Sequence, residues 1–146
     1  MANLSDLISN EVKSLNTGIA RNDFKQAVIM DNDGLIWTGK KFDWPDNDLG
    51  NAKVYNPTES LKEAISLNKV NSDFFKENEI NLEIHKLKKD SFGDVHHEKV
   101  MTVYDNVIWP KTEVAFKKHF DIDLNRNDFL KMRDEAKGKT PVSFDR

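Results

Sequence analysis

Apolar residues in this chain recur at two spacings, and the switches between them lay out an order of helices and strands. Leu4, Leu7, Ile8, Val12 and Leu15 return every three or four positions. That spacing predicts an amphipathic helix over 4–16, with Asn3 or Ser5 as its cap and Gly18 as its stop. Over 27–42 the run AVIMDNDGLIWTGKKF changes to alternation, reaches Asp31-Asn32-Asp33-Gly34, and returns through Leu35, Ile36 and Trp37. An Asp-Gly pair supplies the positive φ of a tight turn, so the run predicts a β-hairpin with strands over 25–31 and 34–41.

Periodicity then lapses over 43–57, DWPDNDLGNAKVYNP, a polar loop of a length that is usually functional or mobile. Asn56 as a cap, Pro57 at the first helical position and Glu59 at the capping-box carboxylate predict a helix that ends near Asn68. Leu61, Ala64, Ile65 and Leu67 form its buried side. Residues 69–79 read as a polar connection around Phe74 and Phe75. Ile80, Leu82 and Ile84 then alternate with Asn81, Glu83 and His85, which predicts a strand with one buried and one wet face. Ser91-Phe92-Gly93-Asp94 turns the chain. The returning strand runs to Tyr104, with Val100, Thr102 and Tyr104 on one face and Met101 and Val103 on the other. Asp105-Asn106 ends it. Pro110 begins a helix carrying Val114, Phe116 and Phe120, and Asn125 or Asn127 begins another carrying Phe129, Met132 and Ala136, stopped by Gly138. An antiparallel sheet with the terminal helices on one face buries these stripes economically. We read residues 1–120 as one α+β domain and 121–146 as a C-terminal extension, helix plus tail, packed on it.

Composition narrows the partners. The 146 residues carry a net charge of −3, so no strong basic field draws the chain to nucleic acid. Cysteine is absent, which excludes disulfides and thiolate metal sites and fits a reducing compartment. No apolar run approaches a membrane span, and MANLSDLISNEVK lacks the apolar stretch of a signal peptide.

Site chemistry is sparse. Asp31 and Asp33 beside Gly34 suggest a calcium loop, but the EF-hand register puts Lys40 at the position that requires an acidic ligand. In the run Asp121, Asp123, Asn125, Asn127 the glycine position holds Arg126. Turn and cap chemistry explains both, and no metal or cofactor is expected. His96 and His97 are adjacent and point to opposite faces of a strand. His85 could join one of them across the hairpin, without a ligand spacing to support a metal, so the histidines read as solvated or interfacial. His119 lies late in a helix, where a cation suits the macrodipole. Lys86, Lys88 and Lys89 read as protection of a sheet edge, or as a contact for an acidic partner or an anionic headgroup. Trp37 and Phe42 suit a core, whereas Trp44, between Asp43 and Pro45, suits an interaction loop as readily.

The hairpin AVIMDNDGLIWTGKKF resembles the profilin segment in which an apolar strand meets Asp-Gly and then a Trp. VMTVYDNVIWPKTEVAFKKHF resembles that family's last strand, Tyr-Asp exit and closing helix, and helix 4–16 stands where its N-terminal helix stands. The resemblance covers residues 4 to 120. It implies a central antiparallel sheet between N- and C-terminal helices, and binding rather than catalysis. It further implies a monomer in the cytoplasm, associated with the cytoskeleton, that holds monomeric actin or an actin homologue through its later strands and last helix. By region, that face would draw on Lys86, Lys88, His97, Lys99, Lys111, Glu113 and Lys117. Anionic phosphoinositide headgroups are a further implied ligand. The family's groove for proline-rich peptides would survive here only as Trp37, Leu4, Ile8 and His119, because the first helix lacks an aromatic, so weak or absent binding is expected. A divergent, archaeal profilin would suit the long 43–57 loop and the extension past 120. The alternative is a roadblock-like dimeric partner of a small GTPase, since that family also turns an apolar strand at Asp-Gly.

Overall fold

Asp31 organises the first turn with its own side chain. Its Oδ1 accepts from the backbone N–H of Asp33 and of Leu35, both at 2.9 Å, and Gly34 takes the left-handed φ of +92° that closes the turn. The carboxylate expected to serve the turn rather than a metal does so. Asn32 then ties the turn to the segment before the second hairpin, donating to Glu79 O and accepting from Asn81 N. These contacts come from a computed structural model that describes residues 25–104 and 109–135. The helix expected over 4–16, the Asp105-Asn106 break, and Ala136, Gly138 and the tail beyond lie outside the described residues.

Strand β1 spans Ala27–Asp31, β2 Ile36–Trp37, β3 Phe42–Asp43, β4 Leu82–Lys89 and β5 Val95–Val103. Among the described residues they form one five-stranded antiparallel sheet in the order β3-β2-β1-β4-β5. The return strand expected over 34–41 is shorter than its pattern. It stops after Trp37, turns through Gly39 at φ +98°, and resumes as β3. The reason is the later loop. Lys53 N–H donates to Trp37 O, and Tyr55 exchanges both backbone bonds with Ala27, so residues 53–55 take the place beside β1 that a longer β2 would occupy.

The helices are α1 Pro57–Val70, α2 Ser72–Glu77, α3 Trp109–Phe120 and α4 Arg126–Glu135. Asn56 caps α1 as expected, its Oδ1 accepting from Glu59 N at 2.9 Å, and Leu61, Ala64, Ile65 and Leu67 are all buried. The polar connection expected at 69–79 instead contains α2, because Phe75 has a core site to fill while Phe74 stays outside. In α3 the buried stripe is Thr112, Phe116 and Phe120, one turn apart. Val114, expected among the buried residues, lies on the opposite side of the helix and is 63% exposed. Asn125 caps α4, accepting from Asp128 N, and Phe129 is fully buried against Trp109.

All four helices among the described residues feed one apolar cluster on one face of the sheet, against Ala27, Ile29, Trp37, Phe42, Leu82 and Ile84. The opposite face carries a second, smaller cluster in which Val28, Met30, Ile36 and Leu87 are covered by Leu49 and Ala52 of the 44–54 loop. That loop, expected as a polar connection, is a lid on the second face. In β5 the register slips between the partners of Ile84 and His85, leaving Val100 as an extra residue. The bulge turns Val100 to the helix-side cluster with Val103 and Met101, correcting the expected alternation that set Val100 opposite them.

Candidate functional site

The β4–β5 hairpin distributes the ionisable residues over both faces of the sheet. Lys86 and Lys88 alternate with Leu87 on β4, and their register partners on β5 are Glu98 and His96. These side chains lie on the helix side. Lys88 Nζ is 2.7 Å from Glu98 Oε2, and that hydrogen bond holds the Glu98 carboxyl below its ordinary range. His119 of α3 reaches the same carboxylate at 4.0 Å, while partial burial pushes its imidazole towards the neutral form. Lys86 is flanked by Ala27 of β1 and Glu98 of β5, so the edge-protection reading is corrected for that residue, while Lys88 and Lys89 lie beyond the β1 pairing, opposite His96 and Val95.

On the opposite face Glu83, His85, His97 and Lys99 come together. His85 Nε2 lies 2.9 Å from Glu83 Oε1, and its Nδ1 lies 2.9 Å from Nδ1 of His97. Lys99 Nζ is 3.4 Å from Glu83 Oε2. The two histidines are diagonal neighbours, since His85 is opposite Lys99 and His97 is opposite Leu87. Burial drives the pKa of His85 below its ordinary value, partly countered by its hydrogen bond to Glu83. Burial also lowers that of His97, and the His96 charge adds to the effect. His85 is only 7% exposed, so the expectation of a solvated or interfacial histidine fails there. The alternation of Glu83 and His85 was legible as one face. What the pattern did not reveal is that the 44–54 loop and β5 would cover it.

The residues assigned by region to an actin face therefore divide. Lys86 and Lys88 lie on the helix side, His97 and Lys99 on the other, with the edge strand β5 between them. Lys111, Glu113 and Lys117 are exposed on α3. Lys117 Nζ is held by Asp121 at 3.1 Å and Asp123 at 3.3 Å, and these hydrogen bonds raise its pKa. Val114 joins Ile122 and Leu124 in an apolar groove of about 430 Å³ rimmed by Glu113, Lys117, Lys118 and Asp123.

Of the residues assigned to a proline-peptide groove, Leu4 and Ile8 lie outside the described residues. Trp37 and His119 do not converge. Trp37 is 3% exposed, stacked 5.1 Å from Phe42, with its indole N–H donated to Tyr55 Oη at 2.9 Å, whereas His119 faces Glu98. The exposed indole is that of Trp44. Asn51 fixes the backbone around it, donating to Trp44 O and accepting from Asp46 N.

No family model, curated protein or solved structure matches this chain. The likeness to profilins thus stands on the quoted residues and on a fold compatible with that plan. Among the described residues no group of three or more His, Asp or Glu side chains is placed to hold a metal ion, and no helix is long and apolar enough to cross a membrane. A cleft of about 600 Å³ at the far end of β5 sets Lys76, Glu79 and Tyr104 over Phe75 and Ile80.

Proposed function

We propose that this protein acts by binding, holding actin or an actin homologue as a monomer and so tuning its assembly in the cytoplasm. One observation carries the reading. Exposed cationic side chains stand on both sides of the edge strand β5, with α3 packed beside it and displaying the apolar groove at Val114. Lys88 and Lys99 are 42% and 51% exposed, and Lys111, Lys117 and Lys118 are exposed on the helix. Cations around an apolar strip suit an acidic protein surface, steering encounter and fixing register. The interior position of Trp37 supports weak or absent binding of proline-rich peptides. Lys86, Lys88 and Lys89 remain the candidate contact for anionic phosphoinositide headgroups.

The bulge at Val100 and the charged pair Glu98 and Lys99 blunt β5 against strand-to-strand pairing, which favours a monomer over the roadblock-like dimer. Pyrene-actin polymerisation tests the reading directly. Excess protein should lengthen the lag and lower the plateau, and Lys111→Glu with Lys117→Glu should weaken both effects. Unchanged polymerisation at excess protein would remove actin as the partner, and elution as a dimer would favour the roadblock reading.

A further inference from the structure

The buried chain on the second face determines which nitrogen of His97 meets solvent. A carboxylate can only accept, so Glu83 Oε1 takes the Nε2–H of His85. A neutral His85 then has only a lone pair at Nδ1. The 2.9 Å contact between the two Nδ1 atoms therefore requires His97 to donate its Nδ1–H. The other nitrogen of His97, Nε2, is left as a lone pair on an exposed residue. Two positions along the same strand and on the same face stands the half-exposed ammonium of Lys99.

We propose that His97 and Lys99 form a proton-gated docking point for a carboxylate of an acidic protein partner. In the neutral state the Nε2 lone pair of His97 repels a carboxylate oxygen. One proton at Nε2 turns it into a charged donor beside Lys99 while the Nδ1–H bond to His85 stays intact. Docking at this point is therefore linked to protonation of His97, and Glu83 and His85 act as positioning residues that keep the receiving nitrogen outward. The charged and titratable groups around His97 are His85, Glu83 and Lys99 on its own face and His96 beside it, the last turned to the other side and bound to Asp90. From β1 the cluster meets Val28 and Met30, and the covering loop packs Leu49, Ala52 and Val54 on this face, with the Asn47–Leu49 turn, whose middle residue is Asp48, against β5. Burial and the neighbouring His96 push His97 towards the neutral form. The inference rests on the proposal that the partner surface is acidic.

Two measurements on the full chain test it. Side-chain ¹⁵N spectra at pH 8 should show His97 as the Nδ1–H tautomer and His85 as the Nε2–H tautomer, and the reverse assignment would overturn the gate. Calorimetry with an oligo-glutamate peptide, in buffers of different ionisation enthalpy, should find net proton uptake on binding, peaking at about half a proton per event, and binding up to about tenfold tighter at pH 6 than at pH 8, the limits set by a one-unit rise in the His97 pKa. His97→Gln should abolish the pH dependence, and Lys99→Gln should weaken binding at both pH values while keeping the proton count. Equal affinity at the two pH values, or an unaltered pH dependence in His97→Gln, refutes the proposal. If actin assembly is delayed without proton uptake, the docking point fails while the actin reading stands. Proton-linked peptide binding with no effect on actin leaves the docking point and removes that reading.

Discussion

Replacing Phe129 by Ala asks whether α4 is part of the structural core or an appendage laid on it. The ring is fully buried, 5.4 Å from the centre of Trp109, with the Arg133 guanidinium 6.0 Å away. A buried Phe withdraws roughly 150–250 Å² from water, which at ~25 cal/mol per Å² is about 4–6 kcal/mol. Ala retains its own share of that area, and observed Phe→Ala losses in cores run about 3–5 kcal/mol. We therefore expect a loss of about 4 kcal/mol. With a urea slope of ~2 kcal/mol/M for a domain of this size, the unfolding midpoint of the full chain should fall by about 2 M. Two controls fix the interpretation. Phe129→Leu, which keeps most of the volume, should cost under ~1.5 kcal/mol, and Val114→Ala on the exposed side of α3 should stay within ~0.5 kcal/mol. A loss below ~1 kcal/mol for Phe129→Ala would refute the account, because the chain before residue 121 would then be holding its core without α4.

Gly34→Ala should destabilise by about 1–2 kcal/mol in thermal or urea unfolding, because the left-handed φ is the only cost at a position where an added Cβ meets nothing within 4 Å. Alkaline stability should depend on Tyr55. Burial, reinforced by the Glu63 charge, raises its pKa well above the ordinary value, while the unfolded chain releases that proton near 10.0. Above pH 10 the folded state binds the extra proton, so stability falls as pH rises, and Tyr55→Phe should flatten the slope. His85 works in the opposite direction. Its pKa is lowered from 6.5 in the fold, so below that pH the unfolded chain takes up a proton that the folded chain resists. Stability should drop as pH falls through 6.5 towards the folded value, and a His85→Gln variant that kept the same acid slope would contradict the buried placement of that ring.

Features set by near neighbours were legible before any coordinates. The Asp31–Gly34 turn, the Asn56 cap, the stripe Leu61, Ala64, Ile65, Leu67 and the alternation of Ile80, Leu82 and Ile84 each follow from residues a few positions apart. Val114 was misassigned because it lies two residues from Phe116 and so on the far side of α3, a matter the periodicity could have settled. The short helix at Ser72–Glu77 was hidden by its polar composition, with Phe75 its one buried anchor.

By itself the sequence determined an α+β chain with two hairpins, a capped middle helix and a closing helical segment, because local conformational preference and hydrophobic period suffice for those. Only the tertiary structure decided that residues 53–55 would cut β2 short, that the 44–54 loop would cover the second face, and that Val100 would bulge. It alone divided the lysines between two faces and selected His97 over His96 as the partner of His85 across the hairpin. The physical reason is that register and coverage depend on which distant segments compete for one strand edge, and no window of neighbouring residues carries that information.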